Sequence, residues 1–330
     1  MKTLFLYLNA AMGDTLYLLS AARAIRKHTE KTKLIFLCPP HFIELARACI
    51  HFSEVWPTDS LTQTQQTQLH EALQQQRLVD FTHWSHAFAP RHMTDGFLAQ
   101  IGLEVEPSEK QLDLNVPHQA LDTVSLFYQQ HNLHEKIVIL MHPNVGHANR
   151  TWPQENWYAL AEMCVQTGWE VVFIGSEHNS EAGKTMVSRV PEGVINAIDR
   201  FSPLETVALM RRANMLVSCD SGPVMLAAAS DIPIVALYST VAAADRLPYR
   251  HAEAGWRAKG VDLACSNGPC ARYMANEAIF TAVFKRQFSA PTTQEFARWC
   301  LQEQPYHCLR RYTPAALYVE ITALMLSVMS

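Results

Sequence analysis

The stretch "MLVSCDSGPVMLAAASDIPIVALYS", residues 215–239, decides the fold. Two apolar runs of strand length, 215–219 and 232–239, flank a short alanine-rich helical pattern. Strand, helix and strand in so short a span read as a parallel pair joined by a crossover. The first strand ends in Cys219-Asp220, and Ser221-Gly222-Pro223 opens the helix. Free backbone N–H groups and the positive end of a helix make a natural seat for a diphosphate. Gly222 would let a ligand approach the backbone there. Asp220 would accept hydrogen bonds from sugar hydroxyls or, in the plainer alternative, cap the helix.

The same rhythm runs outward in both directions. "TLFLYL", "KLIFLC", "EVW" and "LVDF" read as strands within the first 85 residues, with helical patterns between them. The stretch 107–135 carries no strand pattern and holds the boundary. A second series then starts at "KIVILMHP" and continues through "EVVFIGS", "EGVINAI" and the opening stretch. The expected architecture is α/β, with two facing Rossmann-like domains, each on a parallel sheet. A cleft is expected at the carboxyl ends of the strands. The domains are placed at 1–130 and 131–312, followed by a C-terminal helix over 313–330. Thr313 supplies its N-cap and Pro314 its first position. The glutamine-rich segment 61–76 keeps a helical leucine spacing, and no fixed-period repeat is present.

Composition narrows the function classes. Of the 330 residues, 48% are hydrophobic and 18% charged, as in a folded globular protein. A formal net charge of −4 gives no general attraction to nucleic acid. Residues 246–311 hold ten Lys/Arg against five Asp/Glu, a local balance of +5, which is either a solvated basic face or a greeting for an anionic substrate or lipid. No run approaches the ~20 apolar residues of a membrane span. The start, "MKTLFLYLNAAMGD", leads into an acid and a helix instead of a cleavage site, so it reads as a strand and not a leader. A cytoplasmic location is expected. The eight cysteines then read as thiols or ligands, and the sequon at Asn149 carries no glycan.

Motifs for simple dinucleotide, P-loop, zincin and α/β-hydrolase chemistry are absent. What remains lies in strand-to-helix turns. Asp14 follows Gly13 where the first strand feeds the first helix; it is either a capping acid or a general base that the helix end keeps ionised. Arg150 precedes Trp152-Pro153 in a polar loop and could pair with a phosphate through its planar fork. Ser202 and Glu205 match a capping box. Cys265, Cys270, Cys300 and Cys308 cluster in an irregular stretch, expected to lie far from the strand ends that define the cleft, so none should be a nucleophile. Their spacing fits no standard zinc-finger pattern, which leaves reduced thiols or a structural zinc or iron. His83, His86 and His92, around Trp84, read as an ordinary loop or as a lining for a sugar acceptor.

Five blocks in the same order resemble the lipopolysaccharide heptosyltransferase family, glycosyltransferase family 9, whose members have the GT-B fold. They are "GDTLYLLSAARAIRKH", "HPNVGHANRTWPQENWYALA", "VVFIGSEHNSEA", "FSPLETVALMRRANMLVSCDSGPVMLAAA" with "IVALYS", and a tail running from "CSNGPCARY" to "CLRRYTPAALYVEI". The resemblance covers nearly the whole chain and is weakest from about residue 50 to 130. It implies inverting transfer of a heptose from an ADP-sugar to a glycolipid or protein acceptor, with the acceptor on the N-terminal domain and no cofactor required. It implies Asp14 as the base with Gly13 beside it, Arg150 on the donor phosphates, and Asp220, Ser221 and Gly222 around diphosphate and sugar. It further implies Phe201 beside the nucleotide base and Glu177 near the ribose. Family members carry cysteines in the tail, and some related enzymes hold iron through them. A peripheral contact with the inner membrane would follow from a glycolipid acceptor. Three positions depart from the family: Met225 replaces a histidine, "HPGA" is "HPNV", and "LFGPT" is "LYSTV". The rival readings are a non-catalytic nucleotide-sugar-binding protein and a sugar-nucleotide epimerase on the same fold.

Overall fold

The computed structural model describes residues 2–82, 91–177, 190–250, 257–275 and 300–329. His83, Trp84 and His86 therefore lie outside the described residues. Four parallel strands form the first sheet: β1 (Lys2–Tyr7), β2 (Thr32–Cys38), β3 (Glu54–Pro57) and β4 (Leu78–Asp80), in the order β3-β2-β1-β4. Both faces are covered, so its strands read as continuous apolar runs. Leu6, Leu34 and Phe36 pack beneath α1 (Met12–His28). Their strand neighbours Phe5, Ile35 and Leu37 point the other way, onto Trp56 and Ala72 of α3 (Gln63–Gln74), as a period of two requires.

The second sheet is built from β5 (Val138–His142), β6 (Glu170–Phe173), β7 (Val194–Asn196), β8 (Met215–Cys219), β9 (Ile234–Tyr238) and β10 (Ala258–Asp262). Its order is β10-β9-β8-β5-β6-β7, all parallel. The chain winds outward from β5 in one direction and returns to β8 to wind in the other. The switch point thus falls between the carboxyl ends of β5 and β8, where His142 and Cys219 stand. One face is covered by α6 (Gln154–Gln166) and by α10 (Pro314–Met329), whose Leu317 and Ile321 pack with Trp157, Met141 and Val217. The other face packs under α7 (Pro203–Met210) and α8 (Gly222–Leu226). Thr313 caps α10 through its hydroxyl, which accepts from the Ala316 amide at 3.2 Å. Ser202 and Glu205 form both bonds of the expected capping box.

Three elements have no counterpart in the sequence reading. Helix α4 (Met93–Gln100) packs on α1, and α5 (His118–Gln130) sits within the strandless boundary stretch. Although α5 closes the first domain by sequence, it packs on α7 of the second, with Phe127 edge-on to Phe201 at 5.1 Å. Strand β10 is an edge strand of mixed polarity, "AKGVD", so its apolar signal is faint. One hydrophobic cluster runs from α1 of the first half through α7 and α8 of the second. Polar ties reinforce it: the Tyr17 hydroxyl donates to the Arg246 carbonyl at 2.8 Å, and the Tyr249 hydroxyl to Asp95 at 2.8 Å. No described helix is long and apolar enough to cross a membrane.

Candidate active site

The two halves meet where α1 and α8 begin. Strand β1 ends at Tyr7, and α1 starts at Met12 with Ala11 as its N-cap, which has no side chain to do the capping. Asp14, in the first helical turn, instead reaches back to the Ala11 amide, half of a capping box without its partner. The expectation that the helix end lowers the pKa of this acid is not met. Burial pushes the Asp14 carboxyl above its ordinary value and outweighs the lowering by Arg150, the Ala11 amide and Arg246; Asp220 pushes it further up.

Asp220, at 7% exposure, is more deeply buried than the half-buried Asp14 and is differently placed. The N-cap of α8 is Ser221, and no side chain caps this helix, so Asp220 is not a capping residue. Its carboxylate accepts from Arg150 Nη1 at 3.1 Å. Arg150 reaches it from a short turn, Ala148–Arg150, that follows β5. Asp14, Arg150 and Asp220 share the wall of one cavity of about 480 Å³ between the halves, a volume suited to a small ligand. A larger open groove of about 790 Å³ lies near the amino ends of β8 and β9, lined by Asn214, Pro233 and Val328. The smaller cavity is the candidate site, because it stands at the switch point and holds the charged groups.

Gly13 and Gly222 face each other across the interface. A Cβ on Gly222 would lie 2.6 Å from Met12 Cε, and one on Gly13 would lie 3.8 Å from Gly222 Cα. The space beside Gly222, expected for a ligand, is thus taken by the Met12 methyl. Both glycines still border the cavity.

Sequence reasoning missed several polar residues in this wall, among them His142, Asn144 and His147. His142 Nδ1 lies 3.3 Å from Ser218 Oγ and 3.2 Å from Ser221 Oγ. Both hydroxyls also lie within reach of the Cys219 carbonyl, at 2.8 and 3.0 Å, and 2.9 Å from each other, so ring and hydroxyls form one connected network. Burial pushes His142 down to about 4, and burial with Arg150 pushes His147 down to about 4, so both rings are neutral at pH 7. Gly175, at φ +120°, makes room for His142: a Cβ there would lie 2.6 Å from the ring. The available signal was a histidine before proline at the carboxyl end of a central strand.

Other expected residues stand apart from the cavity. Met225 is buried in the core at 1% exposure and is not part of the cavity wall. Phe201 packs on Phe127, and the Glu177 amide donates to Asp199 Oδ2 at 3.1 Å. His92 is buried against Tyr17 and Tyr249, with Nε2 2.8 Å from the Leu247 carbonyl, joining the halves.

The four tail cysteines correct another expectation. They line one small cavity of about 20 Å³ together with Asn149 and Thr240, which also line the candidate site. Distant in sequence, they lie directly behind the cleft. The Cys270 thiol is pushed up to about 12 by burial and by the other three cysteines. Among the described residues, no three His, Cys, Asp or Glu side chains are gathered closely enough to hold a metal ion.

Two facing parallel α/β sheets with a cavity at the carboxyl ends of their strands define the GT-B class. The profile of glycosyltransferase family 9 (heptosyltransferase) matches residues 60–271, most of the chain, and the protein belongs to that family. Lipooligosaccharide heptosyltransferase 2 of Haemophilus influenzae is 31% identical over 129 residues, 37% of this chain and 37% of that protein. The chain thus spans little more than a third of the length of that curated relative. Among solved structures, the family 9 glycosyl transferase of Veillonella parvula superposes with a TM-score of 0.72 at 16% identity, over 99% of this chain and 98% of that one. The ADP-heptose LPS heptosyltransferase II of E. coli gives 0.67 at 17%, over 100% of both chains. The iron-containing dodecameric glycosyltransferase TibC of enterotoxigenic E. coli gives 0.67 at 14%, over 99% of this chain and 77% of that one. At these identities the structural likeness shows the fold.

Proposed function

We propose that this chain is an inverting glycosyltransferase that moves a heptose, or a closely related sugar, from an ADP-sugar to a hydroxyl of a bacterial glycolipid or protein. One observation carries the reading: a half-buried carboxylate from one half, Asp14, shares a cavity with a cation–carboxylate pair, Arg150 and Asp220, from the other. Inverting transfer needs a base on the acceptor hydroxyl and stabilisation of the departing diphosphate. Asp14, held back from ionising by burial, is the base. Arg150 and the amides of the Ser221-Gly222 turn receive the diphosphate, and Asp220 passes from Arg150 to a sugar hydroxyl when the donor enters. Transfer runs without a divalent ion, because the site's own cation does that work. A glycolipid acceptor would bring the protein to the cytoplasmic face of the inner membrane as a peripheral partner.

Incubation with ADP-heptose and a candidate acceptor, with and without chelator, tests the reading. A new glycoside together with free ADP is expected in both conditions. ADP-heptose bound but unchanged would favour the non-catalytic reading, which the Asp220–Arg150 pair also accommodates as a binding site. An altered sugar nucleotide formed without acceptor would indicate an epimerase.

The four tail thiols have the donor chemistry of a tetrathiolate site, and TibC is an iron-containing relative in fold. A structural zinc or iron would be held by Cys265, Cys270, Cys300 and Cys308 drawn together, and would oppose the upward push of burial on the Cys270 and Cys308 thiols. Metal analysis of freshly reduced, untagged protein decides between the ion and free thiols: less than ~0.2 equivalents leaves the thiols.

A further inference from the structure

We infer that Asn144 selects the donor by accepting a hydrogen bond from one of its hydroxyl groups; the inference rests on the donor-site reading above. Asn144 is fully buried, at 0% exposure, and lines the cavity. Its amide nitrogen donates to the Ser176 carbonyl at 3.4 Å, while its Oδ1 has no hydrogen-bond partner. Buried polar atoms in folded proteins are nearly always paired, so this orphan calls for a reason. Turning the amide over does not supply one, because that would set the Asn144 oxygen against the Ser176 oxygen. With one N–H of the amide held by Ser176, the oxygen is the atom of this side chain that has no partner at all.

An acceptor cannot serve the diphosphate, whose outer atoms are acceptors too. That task belongs to Arg150, on the same wall. The groups of a nucleotide sugar that an orphan oxygen fits are its hydroxyls, on the ribose or on the transferred sugar. A site built around a hydroxyl discriminates strongly against a ligand lacking it, since the buried acceptor is then left unpaired. Asn144 is therefore a specificity residue and takes no part in the bond-making step.

Calorimetry on wild type, Asn144→Ala and Asn144→Ser with inorganic pyrophosphate, ADP and ADP-heptose tests this. In Asn144→Ala, ADP-heptose should bind about tenfold more weakly, in the range of a lost hydrogen bond in a buried site, with pyrophosphate within about twofold of wild type. Loss of ADP affinity by the same factor assigns the ribose; loss confined to ADP-heptose assigns the transferred sugar. Unchanged ADP-heptose affinity in both variants, or an equal loss for pyrophosphate, would overturn the inference while leaving the donor reading intact. Wild-type protein that binds neither ADP nor ADP-heptose would overturn the donor reading, and this inference with it.

Discussion

The two halves of the cleft solve the same local problem differently. Each presents an aspartate and a glycine where a strand gives way to a helix: Gly13-Asp14 at α1 and Asp220 with Gly222 at α8. Asp220 is paired with Arg150, whereas Asp14 feels that arginine only through space and is destabilised by burial. With no ion-pair partner of its own, Asp14 is left to burial, which favours its protonated form. The contrast teaches that residue type and turn geometry do not set an acid's role; its nearest cation does.

Asp14→Asn tests one side of the contrast and should have the largest effect. Turnover should fall at least ~100-fold, the usual range for losing a general base, while donor binding persists. Because the folded-state pKa of Asp14 is raised, its stabilising contribution is present below the unfolded pKa and is lost as pH rises through the folded one. At pH 7 the ionised form is therefore a liability, and Asp14→Asn should raise the melting temperature. Near-normal turnover would remove the residue from the mechanism.

Arg150→Ala tests the other side. Donor affinity should drop by about 1.5–3 kcal/mol, as for a hydrogen bond between charged groups. Here the melting temperature should fall, because Asp220 is left as a buried charge without its partner. Opposite thermal shifts in the two variants would sharpen the contrast; shifts of the same sign would break it.

A smaller effect is expected from pH. His142 and His147 are both pushed down to about 4 from 6.5, chiefly by burial. Their contribution is fully present above the unfolded value and is lost as pH falls from about 6.5 towards 4, the opposite sense to Asp14. Urea unfolding should show lower stability at pH 5 than at pH 7.5, and His142→Asn should flatten that slope. The smallest change belongs to Gly13→Ala, whose added methyl would meet only an ordinary 3.8 Å contact with Gly222. Its melting temperature should stay within a degree or two of wild type, in the range of a tolerated surface-type substitution.

Much of the scaffold was legible because buried parallel strands are apolar throughout and their turns are not. The alternation placed β1, β2, β5, β8 and β9 and set Asp14, Arg150 and Asp220 at turns that the structure brings to one cavity. What escaped depends on contacts distant in sequence. Strand β10 is half polar at a sheet edge, and α5 lies in what looks like a linker yet packs on α7. The direction of the Asp14 shift turns on burial by the opposite half, which no local pattern encodes. Likewise, the cysteines reach the back of the cleft only because the tail folds over Asn149 and Thr240. Met225, in a motif otherwise rich in site residues, faces inward because a five-residue helix has one side against the core.

The Met12 methyl beside Gly222 carries a consequence for the order of events. A phosphate approaching the amides of the Ser221-Gly222 turn meets a thioether before it meets an N–H donor. Methionine has three freely turning bonds and no branching, so its tip can swing aside with little resistance. Met12 therefore fills the space in front of Gly222, and any group that enters there must displace its tip. The residue that opens the way belongs to α1, the same helix that bears Asp14. Whatever seats itself against Gly222 therefore presses on the first turn of α1, two residues from Asp14.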